Sequence, residues 1–199
     1  DLFRRRDLEG AAALVAETMP PVRAVASMAP FETRFLLAVR DWAGLERAAE
    51  RWLEFGDVGQ RQEAAFYAGL AASRLGAHDR AAERLAQALR GAVDGKSWFA
   101  QALLEDAWLR VAPSAPAALR DPELAALRLR AFEARNRELR RPHAGPWTDA
   151  VRAEVRFANG DRDGAIAAAE RALAPQRREP HAPADYRAIL EAALTRYGR

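Results

Sequence analysis

The sequence has no cysteine, which excludes disulfides, zinc–thiolate and iron–sulfur centres and thiol nucleophiles within it. Lysine occurs once, at Lys96, so arginine carries almost all the positive charge. The three histidines, His78, His143 and His181, stand apart in or beside expected loops. No two of them have the spacing of metal ligands on a helix face, and they read as surface histidines in turns. The four serines (Ser27, Ser73, Ser97 and Ser114) have no convincing base beside them. Phosphate-binding glycine loops, dinucleotide fingerprints and nucleophile elbows are all missing. No apolar run approaches the ~20 residues of a membrane helix, so no membrane insertion is expected. Asp1-Leu2-Phe3-Arg4-Arg5-Arg6-Asp7 lacks the apolar segment of a signal peptide. These absences point away from an enzyme, and no catalytic residue, metal or cofactor is expected. The closest approach to acid–base chemistry is two carboxylate pairs, Glu105-Asp106 and Asp161 with Asp163. The second pair reads as helix capping.

Charge is abundant and mixed. The 31 basic and 28 acidic residues leave a net +3. Residues 1–60 hold 8 basic and 10 acidic side chains, 61–120 hold 8 and 6, and 121–199 hold 15 and 12. A nucleic-acid footprint wants cations without interleaved acids, and this distribution argues against one. The densest run, Arg128, Arg130, Arg135, Arg137, Arg140 and Arg141, is broken by Glu133 and Glu138 and reads as a solvated helix face, with Leu124, Leu127, Ala131 and Ala134 as the apolar stripe of the same helix. An Arg-mediated nucleic-acid or anion-binding module is the alternative it keeps open. The absence of cysteine leaves the compartment open, with a cytoplasmic location favoured.

Ala, Leu, Arg and Glu dominate between regularly spaced Pro and Gly, and alternating β-branched strand patterns are absent. The pattern predicts an all-α chain with helices at about 7–18, 31–40, 42–54, 60–75, 78–90, 97–111, 121–140, 147–159, 162–173 and 183–197. Asp121-Pro122-Glu123 is a strong start signal: a capping acid, a proline at the first helical position, and an acid facing the positive end of the dipole. A turn followed by a small or apolar residue five places on recurs from Arg6, Arg40, Gly76, Arg120 and Gly160, at offsets of 34, 36, 44 and 40 residues. Such periods signal stacked units, each too small to bury its own apolar face. Glycine tolerates the turn at Gly76 and Gly160. Small side chains at Ala11, Ala81, Ala125 and Ala165, and again at Ala88 and Ala172, let the next helix approach closely. The four alanines Ala81, Ala88, Ala165 and Ala172 are expected to be buried.

On Gly69, Gly76, Ala81, Leu85, Ala88 and Leu89, and on Asp163 to Leu173, the sequence resembles the tetratricopeptide repeat (TPR) family in a degenerate bacterial form. The match is specific in those two units and loose in three others. Arg152 and Arg156 depart from it, and the degenerate pattern also fits armadillo-like and other helical-hairpin stacks. The resemblance implies a right-handed superhelical stack of antiparallel hairpins, an α-solenoid. It would form a single domain over 1–199 of about five units, the first truncated, with 183–197 as a capping helix. The truncated first unit and the absence of an initial Met suggest a piece of a longer protein. It also implies a protein–protein interaction scaffold whose first helices line a groove for a peptide or a neighbouring domain. The expected groove residues are Arg34, Glu63, Phe66, Arg74, Gln101, Glu105, Trp147, Glu154 and Phe157. Of the five tryptophans, Trp42, Trp52, Trp98 and Trp108 read as core and Trp147 as exposed on the groove.

Overall fold

The structure, a computed structural model, describes residues 23–90, 96–139, 145–174 and 179–198, with side chains from Ala29 onward. The expected helix at 7–18 lies outside them. Among the described residues the fold is all-α, with nine α-helices and no strand. They are α1 (Arg23–Val39), α2 (Trp42–Phe55), α3 (Val58–Arg74), α4 (His78–Ala88), α5 (Ser97–Val111), α6 (Pro122–Glu138), α7 (Pro146–Ala158), α8 (Arg162–Leu173) and α9 (Tyr186–Tyr197). A 3-10 turn, Ala117–Leu119, fills the long connection between α5 and α6. None of these helices is long and apolar enough to cross a membrane.

Each helix packs against the next in sequence, and α3, α5, α7 and α9 also pack against one another in succession. The joints explain the recurring phrase. At the ends of α1, α3 and α7 one residue takes a left-handed backbone: Arg40 (φ 58°), Gly76 (φ 75°) and Gly160 (φ 85°). The next amide then reaches back five residues, Asp41 to the Leu36 carbonyl, Ala77 to Ala72 and Asp161 to Arg156, at 2.9 to 3.0 Å. This is the Schellman ending, which satisfies carbonyls that a helix C-terminus leaves unpaired. Asp41 and Asp161 then cap the following helix, accepting from the Gly44 and Gly164 amides at 2.8 and 2.9 Å. The joint expected at Arg120 is different. Its backbone is extended, and Asp121 caps α6 while donating its own amide to the Arg110 carbonyl at 3.1 Å.

Close approach follows the small residues. Ala81, Ala88, Ala125, Ala165 and Ala172 are all fully buried. A Cβ on Gly69 would lie 2.9 Å from Leu85 Cγ, so glycine sets the spacing of α3 and α4. Ion pairs join α2 to α4: Arg80 meets Glu46 and Arg84 meets Glu50, each across 34 residues. Two buried clusters, one centred on Trp52, Phe66 and Leu70 and the other on Trp108, Phe132 and Trp147, are bridged by Leu89 and Phe99.

Three sequence expectations change. Pro30 sits inside α1 and does not precede it, because the buried face Ala29, Thr33 and Leu37 spans the proline and packing outweighs the local breaker signal. The buried stripe of α6 is Ala125, Leu129 and Phe132, whereas Leu127, expected there, is 52% exposed. The last helix starts at Tyr186 and not at 183, because residues 179–183 run across other helices as a non-helical strap.

Candidate functional site

The face shared by α1, α3 and α5 carries a cavity of about 420 Å³. Four expected residues, Arg34, Glu63, Phe66 and Gln101, line it together with Leu37, Tyr67, Lys96, Ser97, Trp98 and His181. Position follows helical spacing: Glu63, Phe66 and Tyr67 fall on one side of α3, and Trp98 and Gln101 on one side of α5. The floor is aromatic, with Phe66 5.0 Å from Tyr67 and stacked 6.4 Å from Trp98. The rim is charged with both signs. Arg34, exposed, lies 3.7 Å from half-buried Glu63. Burial raises the Glu63 carboxyl above its ordinary range, with Arg34 and Lys96 opposing. Burial raises the Tyr67 phenol as well, with the Glu63 charge adding to it.

Behind this cavity three more expected residues meet, but buried and not lining an open groove. Arg74 Nη2 donates to both oxygens of Glu105 at 2.8 Å, and Trp147 Nε1 donates to Glu105 Oε1 at 2.9 Å. The Arg74 guanidinium also stands 5.2 Å from the Trp147 ring centre, and that ring packs edge-on against Trp108. Burial pushes the Glu105 carboxyl up, opposed by Arg74 and by the Trp147 bond. Trp147 is only 1% exposed, because α7 lays it against α5 and closes it beneath the strap. The sequence neighbour of Glu105, Asp106, is also buried and is held by Arg110 and Arg128 at 3.2 and 2.9 Å. The Glu105-Asp106 pair is thus fully engaged in ion pairs.

The strap rests on this cluster. The Glu179 carbonyl accepts from Arg40 Nη2 at 3.0 Å, and the His181 carbonyl accepts from Arg74 Nε at 3.1 Å and from Arg74 Nη2. The Glu179 carboxylate accepts from the Trp147 amide at 3.2 Å, at the N-terminus of α7. Residue 145 being glycine leaves that place open, since a Cβ there would overlap the Glu179 carboxylate where it lies. The His181 ring sits 6.1 Å from Phe66, and burial with the nearby Arg74 charge lowers its pKa to about 4. His181 is therefore no surface histidine. It forms one wall of the cavity.

The chain matches no protein-family model, no curated protein and no solved structure. Its site is read from its own geometry. The last two expected residues, Glu154 and Phe157, stand apart from the rest. Glu154 is buried and paired with Arg196, and half-buried Phe157 packs 4.4 Å from Tyr197, so α9 covers them; both border a separate cavity of about 280 Å³. Sequence reasoning missed Arg40, Tyr67, Lys96, Trp98, Glu179 and His181. Tyr67 and Trp98 sit one and three residues from the expected Phe66 and Gln101 and were within reach of helical spacing, whereas Lys96 precedes its helix as the N-cap residue. Glu179 and His181 lie in an aperiodic proline-rich stretch, which carries no such signal.

Proposed function

We propose that the chain is a non-catalytic protein-interaction module of TPR-like, right-handed superhelical architecture, whose cavity on α1, α3 and α5 receives an extended peptide or a segment of a neighbouring domain. The observation that carries this reading is the cavity itself. It joins an aromatic floor of Phe66, Tyr67 and Trp98 to rim charges of both signs, and a non-helical segment of the same chain, residues 179–183, already lies beside it. Aromatic anchors in a polar rim suit recognition of a peptide better than of a phosphate backbone. The architecture is supported by the shared ending at 40, 76 and 160 and by the 34-residue ion pairs. The absence of catalysis is supported by Glu105 and Glu154, whose carboxylates are tied up in ion pairs. The rival anion-binding reading would need free arginines on α6. There, three of the four arginines are engaged, Arg128 with Asp106, Arg135 with Glu138 and Arg137 with the Glu133 carbonyl, which leaves Arg130 as a single exposed cation and not a cluster.

The test is selection of a displayed library of extended peptides on the wild-type chain, followed by Gln101→Ala and Arg34→Glu variants. Enrichment of a consensus, lost in the variants while their melting is unchanged, is the expected outcome. No enrichment on the wild type would overturn the proposal.

A further inference from the structure

Resting on the peptide-groove reading, we infer that the strap 179–183 is an internal ligand, and that the surface beneath it takes a partner segment of the same chemistry: a Glu, an unrestricted residue, a flat ring, then two small apolar residues. Each position is read from a contact. The carboxylate of the first residue enters the niche that Gly145 leaves at the start of α7 and meets the Trp147 amide. Arg40 and Arg74 take the main-chain carbonyls of Glu179 and His181, within a tight turn closed by the Ala182 amide on the Glu179 carbonyl at 3.3 Å, so the segment is held as a turn through its main chain whatever its side chains. Pro180 is exposed, so the second position is free to vary. The third places its ring on Phe66, and the adjoining cavity leaves room for a ring larger than imidazole. The fourth and fifth, Ala182 and Pro183, are buried.

The arginines are set for this task before the segment arrives. Arg74 is fixed by buried Glu105 and by the Trp147 ring. Arg40 keeps a left-handed backbone where the two equivalent joints use glycine, which places its side chain against the Glu179 carbonyl. A strap tethered to its own surface competes at an effective concentration on the order of millimolar. A free peptide therefore gains access when the strap is weakened.

The experiment uses a fluorescein-labelled peptide Glu-Pro-His-Ala-Pro-Ala-Asp, the sequence of residues 179–185, titrated into the full chain and followed by anisotropy. Glu179→Ala empties the carboxylate niche and should bind the peptide at least about tenfold more tightly than the wild type does, the scale of a lost charge-assisted hydrogen bond. The double variant Glu179→Ala with Gly145→Ala refills the niche with a methyl group and should lose that gain. A peptide with Gln in place of its Glu should lose it too. In the wild type, excess peptide should speed amide hydrogen exchange within 179–185, a readout that needs no variant. Equal affinity for wild type and Glu179→Ala, with exchange unchanged by peptide, overturns the inference. Concentration-dependent dimerisation of Glu179→Ala without a gain in peptide affinity overturns it in favour of a strap exchanged between two copies. If the library selection above yields ligands while these experiments fail, the strap inference alone falls. If both fail, the groove reading falls with it.

Discussion

Arg40 is the residue where two demands collide. A left-handed backbone costs a side-chain-bearing residue roughly 1 kcal/mol relative to glycine, and the joints at Gly76 and Gly160 avoid that cost. The Arg40 side chain recovers a hydrogen bond to Glu179 in exchange. Arg40→Ala should lose the bond and keep the strain, whereas Arg40→Gly loses the bond and relieves it. Urea denaturation should therefore find Arg40→Gly more stable than Arg40→Ala by about 1 kcal/mol. A second residue-scale expectation concerns Arg74, whose side chain is 4% exposed against a fully buried Glu105. Arg74→Ala strands an ionisable carboxyl in the interior and should cost roughly 3–5 kcal/mol, measured the same way. Glu105→Gln combined with Arg74→Met removes both charges together. It should recover most of that loss, which separates the charge imbalance from simple loss of packing.

At the scale of helices, contact depends on small side chains at fixed places. Ala88 has no exposed surface, and α3 approaches α4 so closely that Gly69 faces Leu85 without room for a Cβ. Ala88→Leu should overpack the joint and lower stability by roughly 1–3 kcal/mol in a thermal melt monitored by circular dichroism. An unchanged melt would mean that α4 lacks the close seating described above. Helices and joints were legible because they are encoded locally. Period-3.6 stripes, Asp caps and turn glycines predicted α5 and α8 to the residue and most other ends within about two residues, inside the usual spread of helix boundaries. Failures came where distant packing overrides local signal. Pro30 is carried through by the face of Ala29, Thr33 and Leu37, and the α6 stripe is rotated so that Phe132 is buried and Leu127 is not. The candidate site was half legible for the same reason. Glu63, Phe66 and Gln101 follow from spacing along two helices. The burial of Trp147 depends on a segment 32 residues further along the chain, and no pattern within α7 encodes that.

For the molecule as a whole, acid should act through opposing groups. His181 titrates at about 4 in the folded chain, below the ~6.5 of an unfolded histidine. Between those values the unfolded chain binds the extra proton, so this group's contribution is present above pH ~6.5 and is lost as pH falls through about 4, by up to roughly 3 kcal/mol. Glu63, Glu105 and Glu154 have the reverse sign: their raised folded-state values favour the folded chain as the medium acidifies toward the ordinary carboxyl range. Subtracting the stability–pH curve of His181→Asn from that of the wild type cancels the carboxyl contributions. The difference should fall between pH 6.5 and 4, and a flat difference would refute the assignment. The strap has a further consequence, for the order of assembly. Most contacts here join helices adjacent in sequence, a topology that folds quickly and can form while a chain is still being synthesised. The bonds from Arg40 to Glu179 and from Arg74 to His181 span 139 and 107 residues. Until the ribosome has released that late segment, Arg74 and Glu105 have no roof and the Trp147 amide lacks its carboxylate acceptor. A nascent chain held short of residue 179 should therefore carry the helices before it but leave Arg74 and Glu105 open to water, so a segment made late seals helices made early.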